Sequence, residues 1–223
     1  MNNFEKYHHD LNYSYAYGAF VCIELLKKQK DKVIAIIVSP SFIKNEAYQK
    51  ILSLTNKIII DDLLLNKLRQ KENTYVIGVF KKYSQNISTA TNHLVLNNIV
   101  DVGIIGTIIR SMNGFNFHDL VLIGDEYDCF DPQLIRSSMG AFFSIRIQVF
   151  PSLEDYLKNN KNQIYVLNKN QGEKIENLSL KQPYSILFNF SNLDKYENIY
   201  FPENLNLENI VNIIIYNLYQ KNK

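Results

Sequence analysis

Two arginines set among glycines and small residues are the side chains of this chain best suited to chemistry on an anionic partner. Arg110 follows Gly103, Gly106 and Thr107 behind a hydrophobic strand at residues 94–100, on a helix predicted to begin near Gly106. A guanidinium in that place can fork onto a phosphate or hold a carboxylate, and the preceding glycines let main chain approach a ligand. Arg136 lies in Ile135-Arg136-Ser137-Ser138-Met139-Gly140-Ala141, after Asp131-Pro132-Gln133. That stretch reads as a proline-started helical turn whose small residues permit tight packing. Both arginines read equally as solvated or salt-bridged surface groups, and the serine and glycine cluster as packing alone. Asn206, ahead of a long amphipathic stretch, reads as a helix cap or as a group facing a ligand.

Other polar groups point less sharply. Asp125, Glu126 and Asp128 share a loop but lack the glycine and terminal glutamate of a calcium loop, so they read as a solvated acidic turn. His8 and His9 form a terminal pair with no further ligands nearby in sequence. Cys22 and Cys129 match no metal-ligand spacing and read as small buried residues of a reduced compartment, so no metal is expected. Lys27, Lys28, Lys30 and Lys32, with Lys81 and Lys82, form either a basic patch facing a polyanion or a solvated rim.

Positioning these groups takes an alternation of strands and helices. Residues 15–28 place Phe20, Ile23, Leu25 and Leu26 at helical intervals, and 33–38 is a β-branched run of the kind buried on both faces. An amphipathic helix at 42–54 follows. A short strand at 58–60, a helix capped by Asp61 and ending at Leu68, and a strand at 75–80 complete a first α/β domain, 1–83. The polar, aperiodic stretch 81–92 marks a linker, placed at 84–93. Residues 94–223 read as a second α/β domain with strands at 94–100, 119–123, 143–149, 163–167 and 184–188. A polar loop at 168–177 and a last helix at 205–221 follow, with Ile210, Ile213, Ile214 and Leu218 toward the core. The strand, glycine and helix spacing predicts a backbone-lined pocket at the strand ends.

Composition bounds the function classes. With 223 residues, 46% hydrophobic and 21% charged, the chain is a globular protein and not a disordered one. A formal net charge of +2 creates no global basic field, so any nucleic-acid binding must rest on a local patch. No apolar run approaches the roughly 20 residues of a membrane span, and the amino terminus carries no secretory hydrophobic region. A cytoplasmic location is the expectation. The heavy use of Asn, Lys, Ile and Tyr supports no functional conclusion.

Residues 99–149 resemble the SpoU-type RNA 2′-O-ribose methyltransferases. The family's first motif, Asp-Pro-x-Asn-x-Gly-x-Ile-x-Arg, is matched by Asp101, Gly106, Ile108 and Arg110, with Val102 in place of the proline and Ile104 in place of the asparagine. Its Ile-Arg-x-Ser-Met-Gly block is matched throughout 135–140. The third motif, Ile-x-x-Pro followed by Ser-Leu-Asn, is kept in Ile199, Pro202, Leu205 and Asn206. The second motif, Gly-x-Glu-Gly after an apolar strand, is replaced by Asn189-Phe190-Ser191-Asn192. Gly18-Ala19-Phe20 and Gly78-Val79 resemble the family's small RNA-substrate-binding domain.

The resemblance implies an α/β protein whose residues 94–223 form a trefoil-knot (SPOUT) methyltransferase domain, behind an RNA-substrate-binding domain, and a homodimer built through the knot. It implies methyl transfer from S-adenosylmethionine to a ribose 2′-hydroxyl of structured RNA, ribosomal or transfer. Arg110 would act at the reacting centre and Asn206 at the ligand-facing helix start. Main chain at Leu187, Phe188, Asn189 and on to Phe190, with Ile199, Phe201 and Leu205, would hold the cofactor. Arg136, Ser138, Lys27 and Lys28 would contact RNA. The departures at Ile104 and after the strand leave a second reading, a catalytically silent family member acting as a dimeric RNA-binding protein.

Overall fold

A computed structural model of the chain describes residues 4–125, 127–168, 171–189, 193, 195–201 and 204–221. In chain order the elements are β1 (Tyr13–Tyr17), α1 (Ala19–Lys28), β2 (Val33–Val38), α2 (Glu46–Leu54), β3 (Ile58–Ile60), α3 (Asp62–Leu68), β4 (Val76–Lys81) and β5 (His93–Asn97). There follow α4 (Val102–Gly114), β6 (Asp119–Ile123), α5 (Pro132–Ser137), β7 (Arg146–Phe150), α6 (Leu153–Asn159) and β8 (Gln163–Asn168). The two-residue β9 (Glu173–Lys174), β10 (Tyr184–Phe188), β11 (Glu197–Tyr200) and α7 (Leu207–Lys221) complete the chain. Two compact units result: Met1–Ser84 with Phe130–Ser144, and Gln85–Cys129 with Ile145–Lys223.

The first unit is built on a four-stranded sheet in the order β1-β4-β2-β3, with β4 antiparallel to both neighbours and β2 parallel to β3. Tyr15, Tyr17, Ala35, Ile37, Ile77 and Val79 point to one face and close over Leu65 and Leu68 of α3. Asp61 caps α3 by accepting from the Leu64 N–H at 2.9 Å, as its place before an apolar run predicts. Gly78 lets α1 approach β4, since a Cβ there would stand 3.0 Å from Leu25 Cδ2 and 3.3 Å from Cys22 Sγ. Residues 15–17, read from spacing as helix, are strand. Gly18 at φ 99° breaks the chain after them, a conformation glycine adopts without penalty. The helix therefore starts at Ala19, and Phe20 faces solvent at 56% exposure instead of entering the core. Similarly, the helix expected from residue 42 starts at Glu46, where Asn45 accepts from the Ala47 N–H.

Residues 130–144, which the sequence placed with the second domain, cluster with this first unit. The Ser14 hydroxyl donates to the Phe130 carbonyl at 2.6 Å, and Phe130, Phe142, Phe143 and Phe80 pack ring against ring. The strand expected from Phe143 consequently begins at Arg146, because residues 141–144 form a 3-10 turn with Phe142 and Phe143 buried.

The second unit carries a seven-stranded sheet, β7-β6-β5-β10-β8-β11-β9, parallel at every pairing. β10 lies between β8, which shortly precedes it in sequence, and the remote β5. All five of its residues are buried, Ser185 among them, as a strand covered on both faces of a parallel sheet requires. Val95, Val121, Ile123, Val166 and Leu187 meet Phe150 and Tyr156 on one face, while α4 and α7 pack on each other. Of the four residues assigned to the core side of the last helix, Ile210, Ile214 and Leu218 are buried, but Ile213 is 46% exposed. Among the described residues no helix is long and apolar enough to cross a membrane, and no three His, Cys, Asp or Glu side chains gather into a metal-binding group.

Candidate functional site

Because the strands of the second sheet are parallel, their carboxy-terminal ends share one edge, where α/β proteins place ligands. Asp101 opens α4 just past the end of β5, accepting from the N–H groups of Gly103 at 2.7 Å and Ile104 at 3.3 Å. This cap draws Gly103 and Gly106 into the helix, so α4 begins at Val102 and not near Gly106. Arg110 therefore stands in the third turn, further along the helix than a start near Gly106 implied. Its side chain is exposed and makes no hydrogen bond or ion pair with any described residue. The hydroxyls of Thr107 and Ser111 are spent on the helix's own carbonyls.

The residues expected to hold a cofactor divide by strand. Leu187 and Phe188 are buried within β10, and Ile199 within β11, two strands separated by β8. Asn189 ends β10 in the left-handed region at φ 61°. Its side-chain amide donates to the Asn97 carbonyl at 2.8 Å, and the Asn97 amide donates back to the Asn189 carbonyl at 3.0 Å. Phe201 and Leu205 line a groove of about 270 Å³ together with Tyr200, Ile210, Ile213 and Ile214, and with Lys174 and Glu176. Exposed Ile213 thus has a place in the molecule that core spacing did not suggest. Asn206 is the cap of α7: its carbonyl side chain accepts from the Asn209 N–H at 3.2 Å and its amide donates to Glu208 at 3.0 Å. Phe190, Ser191, Asn192, Asp194 and Pro202, parts of the second and third motifs, lie outside the described residues, as does Glu126 of the acidic loop.

The four residues expected to touch RNA all belong to the first unit. Arg136 is half-buried on α5, which Asp131 caps through the Gln133 N–H at 2.7 Å. Ser138 is fully buried; its hydroxyl donates to the Ile135 carbonyl at 2.8 Å and accepts from the Phe142 N–H. It fastens the turn and is unavailable to a ligand, which corrects its assignment to RNA contact. Lys27 and Lys28 are exposed at the end of α1, Lys27 paired with Glu24 at 2.7 Å. Lys82 donates to the His9 carbonyl and sits over the Tyr7 ring, so it serves the fold.

Sequence reasoning missed the densest polar cluster, at the opposite, amino-terminal edge of the second sheet. Arg146 forks onto the Asp119 carboxylate, which also accepts from Thr91 Oγ1 and the Ser88 N–H. Burial pushes the Asp119 carboxyl upward, but the hydrogen bonds from Arg146 and Thr91 outweigh it and hold the carboxyl below its ordinary value. His93 bridges the Ser88 carbonyl and the Tyr156 hydroxyl, each at 2.8 Å, and Tyr156 continues to Ser185 at 2.6 Å. This network joins the starts of four parallel strands and is structural. Burial also pushes the Cys22 thiol up to about 12, which removes it as a nucleophile.

Comparison with known proteins addresses the same segment. Residues 91–188 match the model of the SpoU rRNA Methylase family. Over 50 residues the chain is 42% identical to a 23S rRNA (uridine(2479)-2′-O)-methyltransferase of Streptomyces viridochromogenes, a stretch that is 22% of this chain and 17% of that protein's length. The fold is similar to that of the SpoU methyltransferase AviRb of Streptomyces viridochromogenes, solved in complex with AdoMet, at 16% identity and a TM-score of 0.79. That likeness covers 95% of this chain and 91% of the other. An rRNA methyltransferase of Sinorhizobium meliloti is similar at 17% identity and a TM-score of 0.72, over 94% of this chain and 88% of the other.

Proposed function

Starting from the SpoU-type methylase domain that the chain carries at residues 91–188, we propose that the protein methylates the 2′-hydroxyl of a ribose in structured RNA, using S-adenosylmethionine. The observation that carries this reading is Arg110: an exposed guanidinium without a partner among the described residues, at the position of the motif's arginine on the helix leaving β5.

The residues fit the cofactor. The groove offers an apolar wall, from Phe201 and Leu205 to Ile213 and Ile214, of the kind that receives a purine ring. Asn189 supplies left-handed main chain where the motif expects its first glycine. When bound, S-adenosylmethionine supplies an electrophilic methyl group on a sulfonium. The main chain about Leu187 to Asn189 and Ile199 to Phe201, with Leu205, would hold it. An arginine is always protonated at neutral pH and is no general base; Arg110 orients the phosphate next to the reacting ribose and stabilises charge developing on the 2′-oxygen. The remaining acceleration is orientation of hydroxyl against methyl; the hydroxyl's proton would pass to solvent as its oxygen takes the methyl from the sulfonium, which would depart as the neutral thioether. Asn206 acts through the helix start that it caps.

The finer parts of the reading follow from the same domain. Residues 94–223 form the knotted fold, supported by β10 entering the sheet beside β5, a strand remote from it in sequence. A homodimer forms through this domain, supported by Tyr216 of α7, 49% exposed and packed on Phe115 at the end of α4. The first unit grips ribosomal or transfer RNA with Arg136, Lys27 and Lys28, in the cytoplasm.

Transfer of tritium from labelled S-adenosylmethionine into RNA tests the reading. Arg110→Ala should lower the rate by roughly 10²–10³, the scale of losing one charge-stabilising group, with an unchanged melting temperature. Full activity in that variant would sink the assignment of Arg110. No transfer by the native protein into any ribosomal or transfer RNA would favour the silent RNA-binding reading.

A further inference from the structure

We infer that Asn97 and Asn189 are positioning residues for the cofactor, a mutual amide clamp that takes over the work of the glycine missing after β10. The inference rests on the methyltransferase reading above.

β5 and β10 are adjacent and parallel, and their last paired residues are Leu96 and Phe188. The next residue of each strand is an asparagine, and each side-chain amide donates to the other's main-chain carbonyl, at 3.0 and 2.8 Å. The two bonds tie the strands together one step beyond their ladder, at the edge where the ligand is expected. Asn189 holds φ 61° while doing so. Most residues with a Cβ resist this region; asparagine resists it least, short of glycine. Two neighbouring strands are left in the same sense, through Asn98 at φ 49° and Gly124 at φ 142°. A Cβ on Gly124 would lie 2.9 Å from Asn98 Oδ1, so these turns also pack closely.

A Gly-x-Glu-Gly loop needs its first glycine for a positive φ or for clearance. Asn189 meets the first need through its own conformational tolerance. Asn97 then fixes the carbonyl of Asn189, setting the direction in which the chain leaves the strand. Asn189 is exposed and Asn97 half-buried. Their bonds compete with water and contribute little to folding, so a ligand-binding effect is separable from an effect on stability.

The test is calorimetric titration of S-adenosylmethionine into the full chain and four variants. Asn97→Asp and Asn189→Asp keep shape but lose one donor each, and each sets a carboxylate against the other residue's carbonyl. Asn189→Val excludes the left-handed conformation, whereas Asn189→Gly keeps it. The expected result is binding weakened roughly tenfold in Asn97→Asp and Asn189→Val, and by about threefold or less in Asn189→Gly. Melting temperatures without ligand should stay within about 3 °C of the native protein in both Asp variants. Native-like affinity in Asn97→Asp and Asn189→Val overturns the clamp while leaving the methyltransferase reading intact. Absence of binding by the native protein at millimolar ligand overturns that reading, and the clamp with it.

Discussion

Replacing Arg146 with methionine should destabilise the second unit by about 2–4 kcal/mol, and the loss should shrink as the pH falls. Asp119 has a side chain only 1% exposed, and Arg146, 44% exposed, gives it two of its four hydrogen bonds. Removing one partner of a fully buried pair costs about 3–5 kcal/mol because the other charge is stranded. The discount to about 2–4 kcal/mol reflects the water that already reaches Arg146. The sign with pH follows from the carboxyl. In the native protein its value is lowered, so its contribution is present above the unfolded value of about 3.9 and is lost as pH falls through the folded one. Without Arg146, burial dominates and raises the carboxyl above 3.9. The variant's deficit is then greatest at neutral pH and is relieved as the stranded carboxylate takes up a proton. Urea unfolding followed by circular dichroism from pH 7.5 to 4.5 reads both quantities. Asp119→Asn should cost less than Arg146→Met, since it leaves a half-exposed arginine free to hydrate. A deficit below about 1 kcal/mol, or one constant across that pH range, would refute the reasoning.

Two further perturbations probe other parts of the structure. Burial holds the His93 imidazole below its ordinary value, so its contribution is complete above the unfolded value of about 6.5 and falls away below it. Unfolding free energy should therefore drop by up to about 1.4 kcal/mol per pH unit on acidification from pH 6.5, and His93→Gln should flatten that slope; an unchanged slope would exclude His93 as its source. Gly140 holds φ 80° with Glu24 Cβ 2.9 Å from where its own Cβ would stand. Gly140→Ala should accordingly cost about 2–3 kcal/mol through strain and overlap, measured as a fall in the urea midpoint; a loss below about 0.5 kcal/mol would show that α1 yields.

Local signals were legible wherever one residue type decides the outcome. The β-branched run at 33–38 is β2 to the residue, Asp61 caps the helix it precedes, and Pro132 starts α5. Tertiary choices were not. Nothing in periodicity places β10 beside β5, or assigns residues 130–144 to the first unit, because both depend on partners remote in sequence. Ser138 illustrates the same limit: a motif serine suggests a polar contact, while burial against Phe142 commits its hydroxyl to the turn.

The weightiest departure from the family pattern, the missing glycine after β10, is where residue type alone misleads most. Glycine is scarce in this chain, eight in 223 residues, whereas asparagine is abundant. Of the four non-glycine residues with positive φ among those described, Asn98, Asn116 and Asn189 are asparagines, and Met139 is the fourth. The asparagine content, which by itself carried no functional meaning, therefore has a conformational one: after β5 and β10, and after α4, this chain turns left on asparagine, a place glycine fills at Gly124 after β6. A motif written in glycines registers Asn189 as a loss. Backbone geometry registers it as a replacement, with a side chain able to hydrogen-bond across to Asn97. The same logic does not rescue Ile104, whose side chain can donate to nothing. On the proposed reading, any orientation of Arg110 that the motif's asparagine would provide must come from the bound substrate.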